Sequence, residues 1–346
     1  MTSARLVRLQ FTDGQVREFV AGAGQTVLDA GLLAGMPLLH QCRSGSCGAC
    51  VATLLAGEID TRSGTGSTLL PSEIARGQRL LCKSEASTDC TFQLAYAPEV
   101  GTLSPARVHA FVNELDRLSD DVVRLTLELA EDNWLEFRAG QYLRLKIPGT
   151  SEWRSYSPSS ISNDLPRVEF LVRLIPGGTM STWLAERCQI DDVLELEGPF
   201  GQFFLREPCR APHIFIAGGT GIAPVMAMLH TIRRQGGVKP HVLVSFGCRS
   251  ETSLFGESEL ELFAHWLPKF TSRISVEMTT SSQRRLGNAL TALGAEDFAH
   301  PNATVYVCGP PAMVEGARTL LQGWGVEPER IHSELFLPSN QPGEVS

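Results

Sequence analysis

The sequence predicts a multi-domain chain made of a small α+β unit, an antiparallel β-barrel and an α/β unit on a parallel sheet. Three observations predict it. Alternating runs and one helical run precede three cysteines packed between Cys42 and Cys50. Short strand-like runs broken by Gly, Pro or Asp follow from Pro105 onward. The last third opens on an apolar strand, a glycine turn and a helix of apolar periodicity. With 346 residues, 43% of them hydrophobic, the chain can fill two or three ordinary cores.

In the first unit, residues 1–98, "ARLVRLQF" and "QVREFVA" alternate apolar and polar positions around Asp13-Gly14, the pattern of a β-hairpin. "TVLDAGLLAGM" then has helical spacing, with Thr26 as its cap and Pro37 as its stop. Cys42, Cys47 and Cys50 are spaced C-x4-C-x2-C, and thirty-one residues separate Cys50 from Cys82. This is the plant-type arrangement for a [2Fe–2S] cluster held by four thiolates. Arg43, Ser44, Gly45, Ser46, Gly48 and Ala49 are small or polar, as a loop that turns its N–H groups toward sulfur requires. A zinc ion on the same thiolates is the alternative, although zinc sites usually pair one C-x2-C with a second close pair. The remaining Cys90, Cys188, Cys209, Cys248 and Cys308 read as small buried hydrophobes, with an exception for Cys308.

"GTLSP", residues 101–105, lacks apolar periodicity and suits a linker. The second domain, residues 105–207, carries "VVRLTLEL", "QYLRLKI" and "RVEFLVRLI", the short strands of a barrel. Within "WRSYSPSS", Arg154 offers a cation for a phosphate, Tyr156 an aromatic face and Ser157 a hydroxyl. Alone, that motif reads as an ordinary surface strand. In "PGGTMSTWL", Gly178 precedes a helical segment with Ser181 in its first turn, and a helix N-terminus attracts anions. Two phosphate devices in one barrel suggest a pyrophosphate. "EGPFGQF", residues 197–203, reads as a Gly-Pro turn of structural purpose.

In the third domain, residues 208–346, "PHIFIAGGTGIAPVMAMLHTI" combines a strand from His213 to Ala217, a turn of Gly218, Gly219, Thr220 and Gly221, and a helix. The turn does not match GxGxxG. "HVLVSFG", "ISVEMTT" and "TVYVCGPP" alternate with helical segments such as "MVEGARTLLQGW", which predicts a parallel sheet with helices on both faces. The glycine turn and Cys308-Gly309-Pro310 then share the carboxyl ends of the strands, where such sheets bind ligands.

Composition narrows the rest. The chain opens without a basic segment leading into an apolar run and has no apolar stretch of bilayer length, so a cytoplasmic location without membrane insertion is expected. Nine cysteines argue for thiols or metal ligands over a disulfide framework. A net charge of −8 argues against nucleic acid and leaves acidic docking patches open.

Taken together, Cys42/Cys47/Cys50/Cys82, "RSYS", "GGTMS", "AGGTGIAP" and "CGPP", in this order, resemble the ferredoxin–NADP reductase superfamily. The closer resemblance, over nearly the whole chain, is to the reductase components of bacterial aromatic-ring dioxygenases of the benzoate dioxygenase reductase type. It implies a β-grasp ferredoxin domain, an FAD-binding barrel and an NAD(P)-binding domain. It implies Arg154 at the FAD pyrophosphate, Tyr156 against the flavin, Ser157 near flavin N5, and Gly178 and Ser181 as further phosphate contacts. Gly218, Gly219, Thr220 and Gly221 correspond to the dinucleotide pyrophosphate turn, with Cys308, Gly309 and Pro310 near the nicotinamide. Glu334 and Phe336 correspond to an acidic and aromatic pair beside the flavin; ten residues follow Phe336, so a core role for that ring stays open. Arg249 suits a 2′-phosphate and the nearby Glu251 opposes one, so NADH is expected over NADPH.

A nicotinamide releases two electrons as hydride and a [2Fe–2S] cluster takes one, so a flavin must stand between them. The expected path is NADH to FAD to cluster to an external acceptor. Resemblance makes that acceptor the terminal oxygenase of a Rieske-type dioxygenase, with a toluene- or phenol-type di-iron hydroxylase as the alternative. A flavin NADH oxidase carrying a zinc interaction module is the reading from another class. The chain is expected to be a monomer.

Overall fold

The computed structural model describes residues 4–63, 67–103, 105–206, 211–278 and 284–336. Two compact units emerge, one of the described residues up to Pro105 with Pro199–Gln202, the other of Ala106–Gly198 and the described residues from Phe203 to Phe336. The proposed boundary at residues 207 and 208, Cys209, and the segment beyond Phe336 lie outside the described residues.

In the first unit, β1 (Arg5–Gln10) and β2 (Val16–Ala21) form the expected antiparallel hairpin. Helix α1 (Val27–Leu33) starts where Thr26 accepts the Asp29 N–H at 3.1 Å. It ends before Pro37, at Ala34. There follow β3 (Val51–Ala56), β4 (Ile59–Thr61), α2 (Pro71–Ala75), β5 (Gln78–Leu80), β6 (Ser84–Ala86) and β7 (Cys90–Gln93). The main sheet runs β2-β1-β7-β3-β5, with β1 and β7 parallel, so one helix lies on a mixed sheet as in the β-grasp fold. Val7, Leu9, Val27, Leu28 and Phe92 are fully buried between them. The Tyr96 hydroxyl accepts the Leu39 N–H at 3.1 Å, and the Leu81 N–H donates to the Cys50 carbonyl at 3.1 Å. Both ends of the cysteine loop are thereby tied to the core. A 3₁₀ turn over Pro98–Thr102 takes up part of the expected linker. A Cβ at Gly101 would lie 2.0 Å from the Pro37 carbonyl, so this stretch is packed rather than loose.

The second unit begins with a six-stranded antiparallel sheet: β8 (Ala106–Arg117), β9 (Val122–Leu129), β10 (Tyr142–Lys146), β11 (Trp153–Tyr156), β12 (Arg167–Arg173) and β13 (Val193–Phe200), ordered β11-β10-β13-β8-β9-β12. A bridge between Pro158 and Phe170 brings the two edges together, so the sheet curls around a core that includes Val112, Leu125, Leu143, Phe170 and Trp183. Helix α3 (Thr179–Glu186) follows β12. The Gly-Pro pair is not a turn. Gly198 is the last β13 residue paired with β8, opposite Ala106, and Pro199 follows it inside β13 where β8 asks for no further N–H.

The parallel sheet comprises β14 (His213–Gly218), β15 (Val242–Ser250), β16 (Phe270–Met278), β17 (Arg285–Leu286), β18 (Thr304–Gly309) and β19 (Ile331–Leu335), ordered β17-β16-β15-β14-β18-β19. Helices α4 (Ile222–Arg234) and α5 (Glu257–Trp266) share a core with one face of the sheet, and α6 (Pro311–Gly323) covers the other. Among the described residues no helix is long and apolar enough to cross a membrane.

Candidate functional site

The cysteine loop folds back on itself, with Arg43, Gly45 and Gly48 at positive φ (54°, 95° and 70°). Gly48 needs its missing side chain, since a Cβ would lie 3.3 Å from Thr68 in a region of φ that disfavours one. The result is two sulfur pairs. Cys42 interacts most strongly with Cys47, and Cys50 with Cys82. The Cys47 thiol pulls Cys42 down to about 3, aided by Ser44 and Ser46, while the same pairing and burial push Cys47 up. Likewise Cys82 is lowered by Cys50, and Cys50 is raised. Backbone N–H groups of Ser44, Ala49 and Gly45 donate to Cys42, Cys47 and Cys82. Two pairs with N–H donors aimed at sulfur fit a cluster that takes two thiolates on each of two irons. Gln202 belongs to this unit as well. Its Nε2 donates to the carbonyls of Ala49 at 2.8 Å and Val51 at 3.0 Å, the neighbours of Cys50 on either side.

In the second unit, strand alternation puts Arg154 and Tyr156 on one side of β11. The Arg154 guanidinium donates to the Trp153 carbonyl at 3.0 Å and pairs with the Glu152 carboxylate, which also lies 3.5 Å from the Thr179 hydroxyl at the start of α3. Gly178 caps α3 without a side-chain bond. Ser181 is buried and accepts the Ile175 N–H at 2.8 Å, so its hydroxyl pins the glycine loop while keeping a proton to donate. Burial pushes the Tyr156 hydroxyl up against the pull of Arg154. A fixed cation, an uncapped helix start and a partly open aromatic ring are the parts a flavin dinucleotide requires.

Ser157, 4% exposed, donates to Glu334 across 3.3 Å, joining residues far apart in sequence. Burial pushes the Glu334 carboxyl up to about 8, and the Ser157 bond offsets this only partly. Glu334 lies opposite Cys308 where β19 pairs with β18, and Cys308 lies opposite Ala217 of β14. The Cys308 thiol is raised by burial and then by the Glu334 charge. The turn at Gly218, Gly219, Thr220 and Gly221 packs against the same spot: a Cβ at Gly221 would lie 2.3 Å from the Cys308 carbonyl. Phe336 donates its N–H to the Gly309 carbonyl at 2.9 Å, and its half-buried ring packs on the core beneath α4. Gly309 and Pro310 lead directly into α6. Arg249 is exposed at the carboxyl end of β15. The structure thus gathers Ser157, Cys308, Glu334, Phe336 and the glycine turn, and separately Arg154 with the start of α3. Glu152 and Gln202 were not expected. Glu152 stands two residues before Arg154 on an extended chain, a spacing that places both on one face.

Fold and site together define an iron–sulfur flavoprotein reductase that draws electrons from a nicotinamide. Residues 11–87 match the 2Fe-2S iron-sulfur cluster binding domain, residues 109–205 the oxidoreductase FAD-binding domain and residues 215–319 the oxidoreductase NAD-binding domain. The chain is 34% identical to the toluate 1,2-dioxygenase electron transfer component of Pseudomonas putida, covering 96% of this chain and 98% of the relative. It is 32% identical to the propane 2-monooxygenase reductase component of Rhodococcus jostii, covering 92% and 88%. Among solved structures, the Amycolatopsis cytochrome P450 reductase GcoB matches with a TM-score of 0.69 at 29% identity, covering 96% of this chain and 99% of that one. The chain belongs to the ferredoxin–NADP reductase superfamily, among the dioxygenase reductase components that carry an N-terminal [2Fe–2S] domain.

Proposed function

We propose that this chain delivers electrons from NADH to the terminal oxygenase of an aromatic-ring-hydroxylating dioxygenase. The observation that carries the reading is the paired Cys42/Cys47 and Cys50/Cys82 site in one chain with the Ser157–Glu334–Cys308 group. Relatives named as electron transfer components of toluate, 2-halobenzoate and anthranilate dioxygenases, at 31 to 34% identity over nearly full length, support it. Residues 1–98, 105–207 and 208–346 are the cluster, flavin and nicotinamide domains. A bound flavin takes electrons in pairs and gives them up singly, as a one-electron cluster demands.

This chain's residues supply the rest. Arg154, Gly178 and Ser181 hold the flavin pyrophosphate, and Tyr156 flanks the ring. Gly218 to Gly221 would admit the nicotinamide dinucleotide close to the backbone, Cys308, Gly309 and Pro310 would border the nicotinamide, and Phe336 would stand with Glu334 beside the flavin. Burial raises the Glu334 carboxyl to about 8, so near neutral pH it would keep a proton, and turning that O–H onto Ser157, in place of the bond Ser157 now donates, would let the hydroxyl relay it to a bound flavin. Glu251 beside Arg249 disfavours a 2′-phosphate, so NADH is the donor. The protein acts as a cytoplasmic monomer, away from nucleic acid and membrane.

Likeness to propane 2-monooxygenase reductases favours a di-iron hydroxylase as the second acceptor. The test is product formation with the purified protein, each nucleotide, and either a toluate-type terminal oxygenase or a propane hydroxylase. Ring cis-dihydrodiol formed with NADH at ten times the NADPH efficiency is expected. Turnover confined to the hydroxylase would replace the acceptor.

A further inference from the structure

We propose that Glu152 is a built-in anion that competes with the flavin pyrophosphate for Arg154 and so lowers FAD affinity. The inference rests on the reading of Arg154 and the start of α3 as the pyrophosphate site. Three groups meet there: the Arg154 guanidinium, the Thr179 hydroxyl in the first turn of α3, and the Glu152 carboxylate between them, ion-paired to the first and 3.5 Å from the second. A carboxylate between an arginine fork and a helix start occupies the kind of position that a phosphate seeks.

The two partners differ in freedom. The Arg154 side chain is 15% exposed and also bonds the Trp153 carbonyl, whereas the Glu152 side chain is 45% exposed. The cation is therefore fixed and the anion is the partner that can leave. A pyrophosphate entering the site displaces Glu152 from Arg154, and the freed carboxylate stays on the same face of the chain, two residues from the cation, where it repels the newcomer. An exposed pair contributes a factor of up to about five, and repulsion from the pyrophosphate adds to it. The consequence is a flavin that loads and unloads more readily than Arg154 alone would allow.

A different role is open to the same geometry: Glu152 could hold Arg154 in place, and its loss would then weaken FAD binding. Flavin affinity separates the two. Protein stripped of FAD is titrated with FAD by fluorescence quenching for wild type, Glu152→Gln and Arg154→Ala, with iron content and circular dichroism as checks on folding. A second measurement on the loaded proteins records the temperature at which flavin fluorescence is released. Glu152→Gln is expected to bind FAD about threefold or more tightly and to release it at a higher temperature. Unchanged or weaker binding by Glu152→Gln, with Arg154→Ala weakened, overturns the proposal and leaves the flavin site standing. Unchanged binding by Arg154→Ala removes the site reading itself and the proposal with it.

Discussion

Glu334 carries an acid–base property opposite to that of most carboxylates. Its carboxyl is pushed up to about 8 by burial, so the folded protein holds a proton that the unfolded chain releases near pH 4.5. The sign follows from linkage: this contribution to stability is complete below about 4.5 and is lost as pH rises through 8. His213 and His332 behave in reverse. Burial lowers them to about 4 and about 3, so their contribution is complete above about 6.5 and lost toward acid. Between about pH 6.5 and 8 the histidines are silent and Glu334 is not. Across that interval the wild-type urea midpoint should fall relative to that of Glu334→Gln, because the lowered Cys42 and Cys82 thiols, which act in the opposite sense, are common to both proteins. Equal slopes in the two proteins would mean that Glu334 does not hold its proton in the fold.

At the scale of elements, much was readable because each signal was local. The hairpin around Asp13-Gly14, the Thr26 cap, the helix after Gly178 and the strand-turn-helix around Gly218 to Gly221 all form as their own residues direct. What escaped was decided by distant partners. Gly198-Pro199 looks like a turn until β8 is laid beside it, and the linker gains its 3₁₀ turn by packing Gly101 on Pro37. Ser157 meets Glu334, and Gln202 meets Ala49 and Val51, across separations that no spacing rule spans. Tertiary contact also fixes one residue of the glycine turn. Gly221 is required where the turn presses on β18, because a Cβ there would sit 2.3 Å from the Cys308 carbonyl, and backbone cannot swing aside as a side chain can. Gly221→Ala should cost about 1 to 3 kcal/mol by overpacking and raise the KM for NADH severalfold. Thermal denaturation and steady-state kinetics check both, and a wild-type melting point would show that the turn yields.

Across the whole molecule, the cysteines proposed to hold the cluster and the residues proposed to handle hydride fall in different compact units. Cys42, Cys47, Cys50 and Cys82 lie in the unit built from the first 105 residues, and Arg154, Ser157, Cys308 and Glu334 lie in the other. Each unit has its own sheet and core, so damage to one set of ligands should leave the other intact. Cys50 is the sharpest place to test this, being buried, paired with Cys82 and flanked by the carbonyls that Gln202 holds. Cys50→Ser removes one thiolate of a pair and should abolish cluster assembly, visible as lost iron and lost absorption beyond about 500 nm. The second unit should keep FAD in full amount and keep its affinity for NADH. Ferricyanide, small enough to take electrons directly from the flavin, should then be reduced at near wild-type rate. Cytochrome c and a terminal oxygenase need the one-electron exit, and their reduction should fall by at least tenfold. Cytochrome c reduction at wild-type rate in a variant shown to contain no iron would mean that electrons leave from the flavin and that the four cysteines serve another purpose.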